Sequence, residues 1–263
     1  MIRNILIVLP ALFMLSVVSA QSDRTWNGKK AAVVITYDDA IDEHLNNAIP
    51  VLDSLNLKAT FYITGFSNSM QKRLQDWKSI ATRGHELGNH TLYHPCTGGT
   101  GREWVKPDYD LRNYTVKRIL DETRATNLLL QSMDGKTKRT LAFTCGDTRI
   151  GDTSFAALLK NDFIAMRGVR SLMHPIDQVQ LDNVDCYGVN GESGEQLIGW
   201  ARQALESNSL LVVLFHGVGG GNSLNVSLAA HRQFLQFLKQ QENEIWIAPM
   251  IDVAEYVRKR QGK

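Results

Sequence analysis

From Ala31 to the C-terminus, short apolar runs alternate with longer stretches whose apolar residues recur every three or four positions. The runs over 31–37, 59–64, 139–145, 163–167, 210–215 and 244–248 have the length and content of β-strands. Several lack polar alternation. Leu211-Val212-Val213-Leu214-Phe215 suits a strand covered on both faces, as in a parallel sheet. Helices are expected between them, over 41–55, 71–82, 108–133, 153–160, 195–206, 227–241 and 251–260. In the sixth, Leu228, His231, Leu235 and Leu238 share one stripe behind Ser227, which is placed to cap it. Strand–helix–strand order repeated this often implies right-handed βαβ units in one continuous α/β domain. The Gly-rich stretch between Pro95 and Pro107 reads as a surface loop. Periodicity leaves open whether the sheet closes into a barrel.

The first twenty residues stand apart. One early charge, Arg3, precedes an apolar run broken only by Ser16, and Val18-Ser19-Ala20 offers small residues before polar Gln21. This is the pattern of a secretory signal peptide, too short for a comfortable bilayer span. Residues 1–20 are therefore expected to be a signal peptide and 21–263 the functional domain, exported to a periplasm or secreted. The chain as a whole, with 43% hydrophobic and 21% charged residues, has a globular composition. Lysine and arginine number 29 against 27 acidic residues, so electrostatic capture of nucleic acid or an anionic membrane is not expected. No protein partner can be inferred. Cys96, Cys145 and Cys186 allow at most one internal disulfide, and small buried thiols are the slightly preferred reading.

Three features follow predicted strands, where parallel α/β folds place their chemistry. The first is Asp38-Asp39. Adjacent carboxylates leaving a buried strand repel each other, and a cation on one with a proton-transfer role for the other would relieve this. The second is His90 with His94, four residues apart, which a helical turn would place on one side. Two imidazoles and a carboxylate make a zinc-type ligand set with positions left for water. His85-Glu86 begins like a zincin motif but fails, because Asn89 holds the position of the second histidine. His85 is read as an ordinary satisfied histidine. The third is His216, a residue type suited to general-acid work. The glycines at 217 and 219–221 lack the lysine of a phosphate loop, and Asn222 falls where a dinucleotide fingerprint needs glycine. They read as a flexible loop. No G-x-S-x-G serine hydrolase motif is present.

These residues resemble the NodB-type polysaccharide deacetylases, carbohydrate esterase family four. Thr36-Tyr37-Asp38-Asp39-Ala40 is similar to that family's T-F-D-D-G motif, Gly84 to Pro95 to its second motif with the H-x-x-x-H pair intact, and Leu214-Phe215-His216 to its L-x-H motif. The likeness extends from about Ala31 to Tyr256. It implies an α/β fold in the form of a distorted, incomplete (β/α) barrel. It also implies metal ligation by Asp39, His90 and His94, a catalytic base in Asp38, an acid in His216, and Leu214 lining the acetyl pocket. The expected cofactor is one divalent ion, zinc for preference.

The third motif, R-x-P-Y-G, is reduced here to Ala142-Phe143-Thr144-Cys145-Gly146. Its backbone N–H at Cys145 remains available for an oxyanion. Arg167, at another strand end, is the candidate to replace the missing arginine, and Asp185 a weak one for the aspartate that tunes His216. All three cysteines flank motif regions, and a Cys96–Cys145 bridge is the expected pairing. The implied activity is removal of acetyl groups from a carbohydrate, first N-acetyl groups of a chitin- or peptidoglycan-like chain, second O-acetyl groups of xylan. Trp104 and Tyr109 are candidates to stack on sugar rings. A non-catalytic glycan-binding relative and a non-haem iron oxygenase are the competing classes. The oxygenase leaves the second aspartate and His216 without a purpose.

Overall fold

The computed structural model describes residues 25–262, so the signal-peptide segment lies outside the described residues. At its centre is β1 (Ala31–Asp38), buried at every position. Further parallel strands are β2 (Thr60–Ile63), β3 (Glu86–Asn89), β4 (Thr140–Ala142), β5 (Ala165–Arg167), β6 (Ser209–Phe215) and β7 (Ile245–Ile247). They lie in the order β5-β4-β3-β2-β1-β6. One flank of β1 pairs with β6 from Ala32–Leu210 to Tyr37–Phe215. Its other flank is shared by β7 at residues 31–33 and β2 at residues 36–38.

Between β5 and β6 there is no full strand. The stretch 181–189 spans the gap instead, with Met166 donating to the Leu181 carbonyl, Val184 to Met166 and Val189 to Leu214 at 2.7–2.9 Å. The result is a curled, irregularly closed half-barrel, the distorted (β/α) barrel expected.

The helices are α1 (Ile49–Ser54), α2 (Asn68–Thr82), α3 (Val116–Asp134), α4 (Phe155–Leu159), α5 (Gly194–Glu206), α6 (Leu228–Gln240) and α7 (Met250–Arg260). Alternation along β1 divides the core. Val33, Ile35 and Tyr37 pack with Leu52, Leu197 and Leu235 of α1, α5 and α6. Ala32 and Val34 pack with Val212, Leu214 and the α7 residues Met250, Val253 and Val257. The final helix thus fills the face of the sheet that carries Asp38. Burial of each such side chain contributes about 1.5–3 kcal/mol.

Several elements depart from the sequence pattern. The helix expected from 41 opens with a π-helical stretch, His44–Ala48, just before Pro50, which has no N–H to donate. The helix expected from 108 starts at Val116, where Thr115 caps the Arg118 N–H. Before it, Pro107–Tyr109 and Leu111–Asn113 form single 3₁₀ turns. The Ser227 cap is present, but Leu228 at the head of the predicted stripe is exposed while Phe234 is buried.

Strand β3 has no apolar run because its inward residues are polar or absent. Buried Glu86 accepts from Thr60 (2.8 Å), Thr140 (2.6 Å) and the Ile251 N–H (2.9 Å) at the start of α7. Burial raises its pKa against those three hydrogen bonds. At Gly88 any Cβ would come within 2.5 Å of the Tyr62 ring, so this strand position takes only glycine.

Candidate active site

The C-terminal ends of β1, β3, β5 and β6 converge on a cleft of about 770 Å³. At the end of β1 the backbone turns sharply, with φ of 82° at Asp39 and 54° at Ala40, a conformation non-glycine residues rarely adopt. This turn directs both aspartates into the cleft. Asp38 is buried and Asp39 half-buried.

Beyond β3, the segment carrying the two histidines is not a helical turn as the spacing suggested. Thr91 and His94 have φ of 61° and 56°. Side chains hold the bend: the Asn89 Oδ1 accepts from the Thr91 N–H at 2.7 Å, and the Thr91 Oγ1 from the His94 N–H at 3.1 Å. The outcome for the imidazoles is the same, with ring centroids 4.9 Å apart.

Asp39 Oδ1 lies 3.5 Å from His90 Nε2 and 3.3 Å from His94 Nε2. His90 Nδ1 is 2.9 Å from the Ala142 carbonyl, which can only accept, so Nδ1 carries the proton and Nε2 presents its lone pair. Asp39 Oδ2 accepts from the Asn222 side chain at 3.1 Å, while Oδ1 is buried without a hydrogen-bond partner. One free carboxylate oxygen and two imidazole nitrogens, all within 4.8 Å of one another, fit a divalent cation with open positions.

The charges agree. Burial works to raise the Asp39 pKa, but His90, His94 and His216 hold the carboxyl well below the usual range. Burial and the neighbouring His90 lower His94 to about 4, leaving it neutral and free to ligate. Burial opposes protonation of His90, yet Asp38 and Asp39 raise its pKa. The surplus negative charge there is what a bound cation would offset.

Asp38 is paired from β5. Arg167, fully buried, donates from Nη2 to Asp38 Oδ2 and from Nη1 to the Gly168 carbonyl at 2.9 Å, with its guanidinium over the Tyr62 ring. Burial disfavours its charge, and Asp38 more than compensates. The remaining Asp38 oxygen, Oδ1, is buried without a partner. Arg167 therefore stands where the missing third-motif arginine was sought.

Asp185 does not stand in for the fourth motif. Its carboxylate is taken by Arg170 (2.8 and 3.0 Å) and His174 (2.7 Å), with no bond to His216. His216 is fixed through its backbone, where its carbonyl contacts His44 Nε2 at 2.7 Å. Its Nδ1 is buried without a partner.

Cys96 and Cys145 form a disulfide with Cα atoms 5.8 Å apart, and Cys186 is a buried thiol against Arg167. Cys145 has φ of 55°, and Arg102 donates to its carbonyl at 3.0 Å, holding the turn against the cleft wall. Asp38, Asp39, His90, His94, Cys145, Leu214 and His216 all line this one cleft. His85 lies elsewhere, 3.2 Å from Asp53.

Asn222 and His44 were not singled out as site residues. The only signal for Asn222 was its place in a loop leaving a central strand. That loop is not simply flexible: Gly217–Val218 pairs with Asn225–Val226, and Asn225 accepts from the Gly220 N–H.

Comparison with known proteins bears on the family and the fold. The family model described as polysaccharide deacetylase matches residues 26–163, just over half of the chain. A peptidoglycan-N-acetylglucosamine deacetylase of Bacillus cereus is 42% identical over 69 residues, 25% of this chain and 24% of that protein. The chain spans at most 40% of the length of the curated relatives it matches. Among solved structures, a protein described as a probable polysaccharide deacetylase from Pseudomonas aeruginosa PAO1 superposes with a TM-score of 0.64 at 12% identity, over 91% of this chain and 95% of that one. The D285S mutant of peptidoglycan deacetylase PdaC from Bacillus subtilis does so with a TM-score of 0.53 at 14% identity, over 88% and 94%. The chain belongs to the polysaccharide deacetylase family.

Proposed function

We propose that this protein is a metal-dependent hydrolase that removes N-acetyl groups from an amino-sugar chain. The observation that carries the reading is the unpartnered Asp39 Oδ1 facing the Nε2 atoms of His90 and His94, with the Asp38–Arg167 pair beside it. Asp39, His90 and His94 would hold the ion, zinc for preference. When bound, it would supply Lewis acidity to the acetyl carbonyl and lower the pKa of a water.

Asp38 accepts the proton of the attacking water on Oδ1, its free oxygen, while Arg167 fixes the carboxylate through Oδ2. The Cys145 N–H donates to the oxyanion, a contribution of about 3 kcal/mol. Leu214 shapes the pocket for the acetyl methyl group. His216 gives a proton to the departing nitrogen as the carbon–nitrogen bond breaks. An amide substrate is favoured by the peptidoglycan deacetylases among the relatives. Export is supported by the N-terminal pattern and by the disulfide, which persists in oxidising compartments.

The test is acetate release, with and without added zinc, from N-acetylglucosamine oligomers, peptidoglycan and acetylated xylan. Zinc-dependent release from the first two, abolished by Asp38→Asn with metal retained, is expected. Release from xylan alone would replace amide by ester. No release from any of the three by zinc-loaded protein would remove the enzymatic reading.

A further inference from the structure

His216 follows β6 and is half-buried, with no partner for its ring at Nδ1. Asp185, the aspartate expected to tune it, is engaged by Arg170 and His174 instead. The side chain is therefore placed by its backbone, and that backbone is gripped by the π-helical stretch His44–Ala48. His44 Nε2 lies 2.7 Å from the His216 carbonyl, which can only accept, so Nε2 donates. Asn47 donates from Nδ2 to the Val218 carbonyl at 2.7 Å. Two side chains of one stretch thus satisfy carbonyls on either side of Gly217. Just ahead of them, the Glu43 carboxylate leaves no room for a Cβ at Gly221 of the same loop.

The gripping stretch is itself held. The Ile49 N–H bonds back five residues to the His44 carbonyl, a π pattern found frequently at functional sites. The His44 ring is fully buried, with centroids 5.3 Å from Tyr37, 5.9 Å from Phe61 and 6.3 Å from Trp77, edge-on. Ser67 donates to the Ala40 carbonyl at 2.9 Å, and Arg73 to Asn46 Oδ1 at 2.8 Å.

Packing does not explain a histidine at position 44. Its Nδ1 is buried among aromatic rings without a partner, which costs stability that an apolar ring would not. What the imidazole adds is one directed N–H. The geometry also closes on itself: the stretch begins at the Asp38-Asp39 turn, and the loop it grips runs on to Asn222, which donates to Asp39.

We propose that His44, assisted by Asn47, is a positioning residue that fixes where His216 presents its proton to the departing nitrogen. The role of His216 rests on the deacetylase reading above; the grip on its backbone does not. The variants are His44→Phe, which keeps a ring and removes the donor, His44→Gln, which keeps a side-chain N–H, and Asn47→Ala.

Two rates are compared in zinc-loaded protein. One is hydrolysis of the N-acetylglucosamine hexamer, whose amine leaves only with a proton. The other is hydrolysis of 4-nitrophenyl acetate, whose phenolate leaves without one, corrected for the Asp38→Asn background. His44→Phe is expected to lower kcat for the hexamer about 10- to 100-fold with KM little changed, and the ester rate by at most about threefold. Asn47→Ala should separate the two rates in the same direction by about three- to tenfold, and it decides alone should His44→Phe not fold. His44→Gln should stay near wild type. Equal falls in both rates, or no fall in either, would overturn the positioning role, as would a glutamine variant no better than phenylalanine. If zinc-loaded wild type releases no acetate from either substrate, the deacetylase reading fails. Imidazole ¹H–¹⁵N spectra of zinc-free protein then decide the grip: the His216 ring signals should move in His44→Phe and Asn47→Ala, and signals that stay in place would overturn it.

Discussion

On one wall of the cleft, four side chains come from two compact stretches, Asp38-Asp39 and His90 to His94, each readable as a motif. The other stretch of wall, Arg167 behind Asp38 and Cys145 bonded to Cys96, comes from the end of β5 and the turn after β4, neither of which carries the motif expected. To hold a cation, the first wall would need particular ligand atoms at a point, and few side chains, those of Asp, Glu, His and Cys, supply them. The second needs a cation against Asp38 and a backbone N–H. Any strand ending at the right place can provide the cation, and any residue but proline the N–H. Motif loss on that wall is therefore compatible with retained chemistry.

Four changes would separate the walls. The largest effect is expected from His90→Ala, which should abolish metal binding and acetate release together. Retention of both would break the ligand assignment.

Next is the link between the walls. Replacing Cys96 and Cys145 by serine frees a loop of 49 residues and should cost about 4 kcal/mol of stability, read from the denaturation midpoint. Of similar size is Arg167→Met, which leaves a buried carboxylate unpaired. It should cost about 3–5 kcal/mol and depress kcat more than KM, with metal content unchanged. If Arg167→Met loses metal instead, the two walls are not independent.

Smaller still is Asn222→Ala. It releases the second oxygen of Asp39 and should weaken zinc affinity by about 10- to 100-fold in a chelator competition.

A further change, in acid, probes what lies behind both walls. Burial lowers His44 to about 4 and His231 to about 3, so both are neutral in the folded protein. The unfolded chain binds more protons below about pH 6.5. Their contribution to stability is thus complete above that pH and lost as pH falls toward 4 and then 3. Thermal melts should show the decline, and it should persist in the zinc-free protein.

Much of the fold was legible because most of its strands are apolar runs with few polar interruptions. Strand β3 was not, since Glu86 and Gly88 replace the inward apolar residues with a hydrogen-bonded carboxylate and an absence of side chain. Pattern rules cannot anticipate that Thr60, Thr140 and the start of α7 will satisfy Glu86. The clustering of Asp39, His90 and His94 was legible from type and spacing, although the backbone that unites His90 and His94 is an irregular bend. Arg167 was visible only as an arginine at a strand end; its bond to Asp38 depends on a strand order that puts three strands between them. Asn222 could be placed only in a loop leaving a central strand, because a single asparagine among glycines carries no periodic or chemical signature of its own.

The disulfide also sets an order of assembly. His94, Cys96 and Cys145 offer donor atoms within 4.8 Å of one another. While the two sulfurs are bonded together they are poor ligands, but as thiols they would form with His94 a soft donor set sharing one histidine with the other site. Protein made in a reducing host and metallated before oxidation is expected to carry zinc on sulfur and to lack activity. Oxidation first, metal second, is the preparation that should yield the working site.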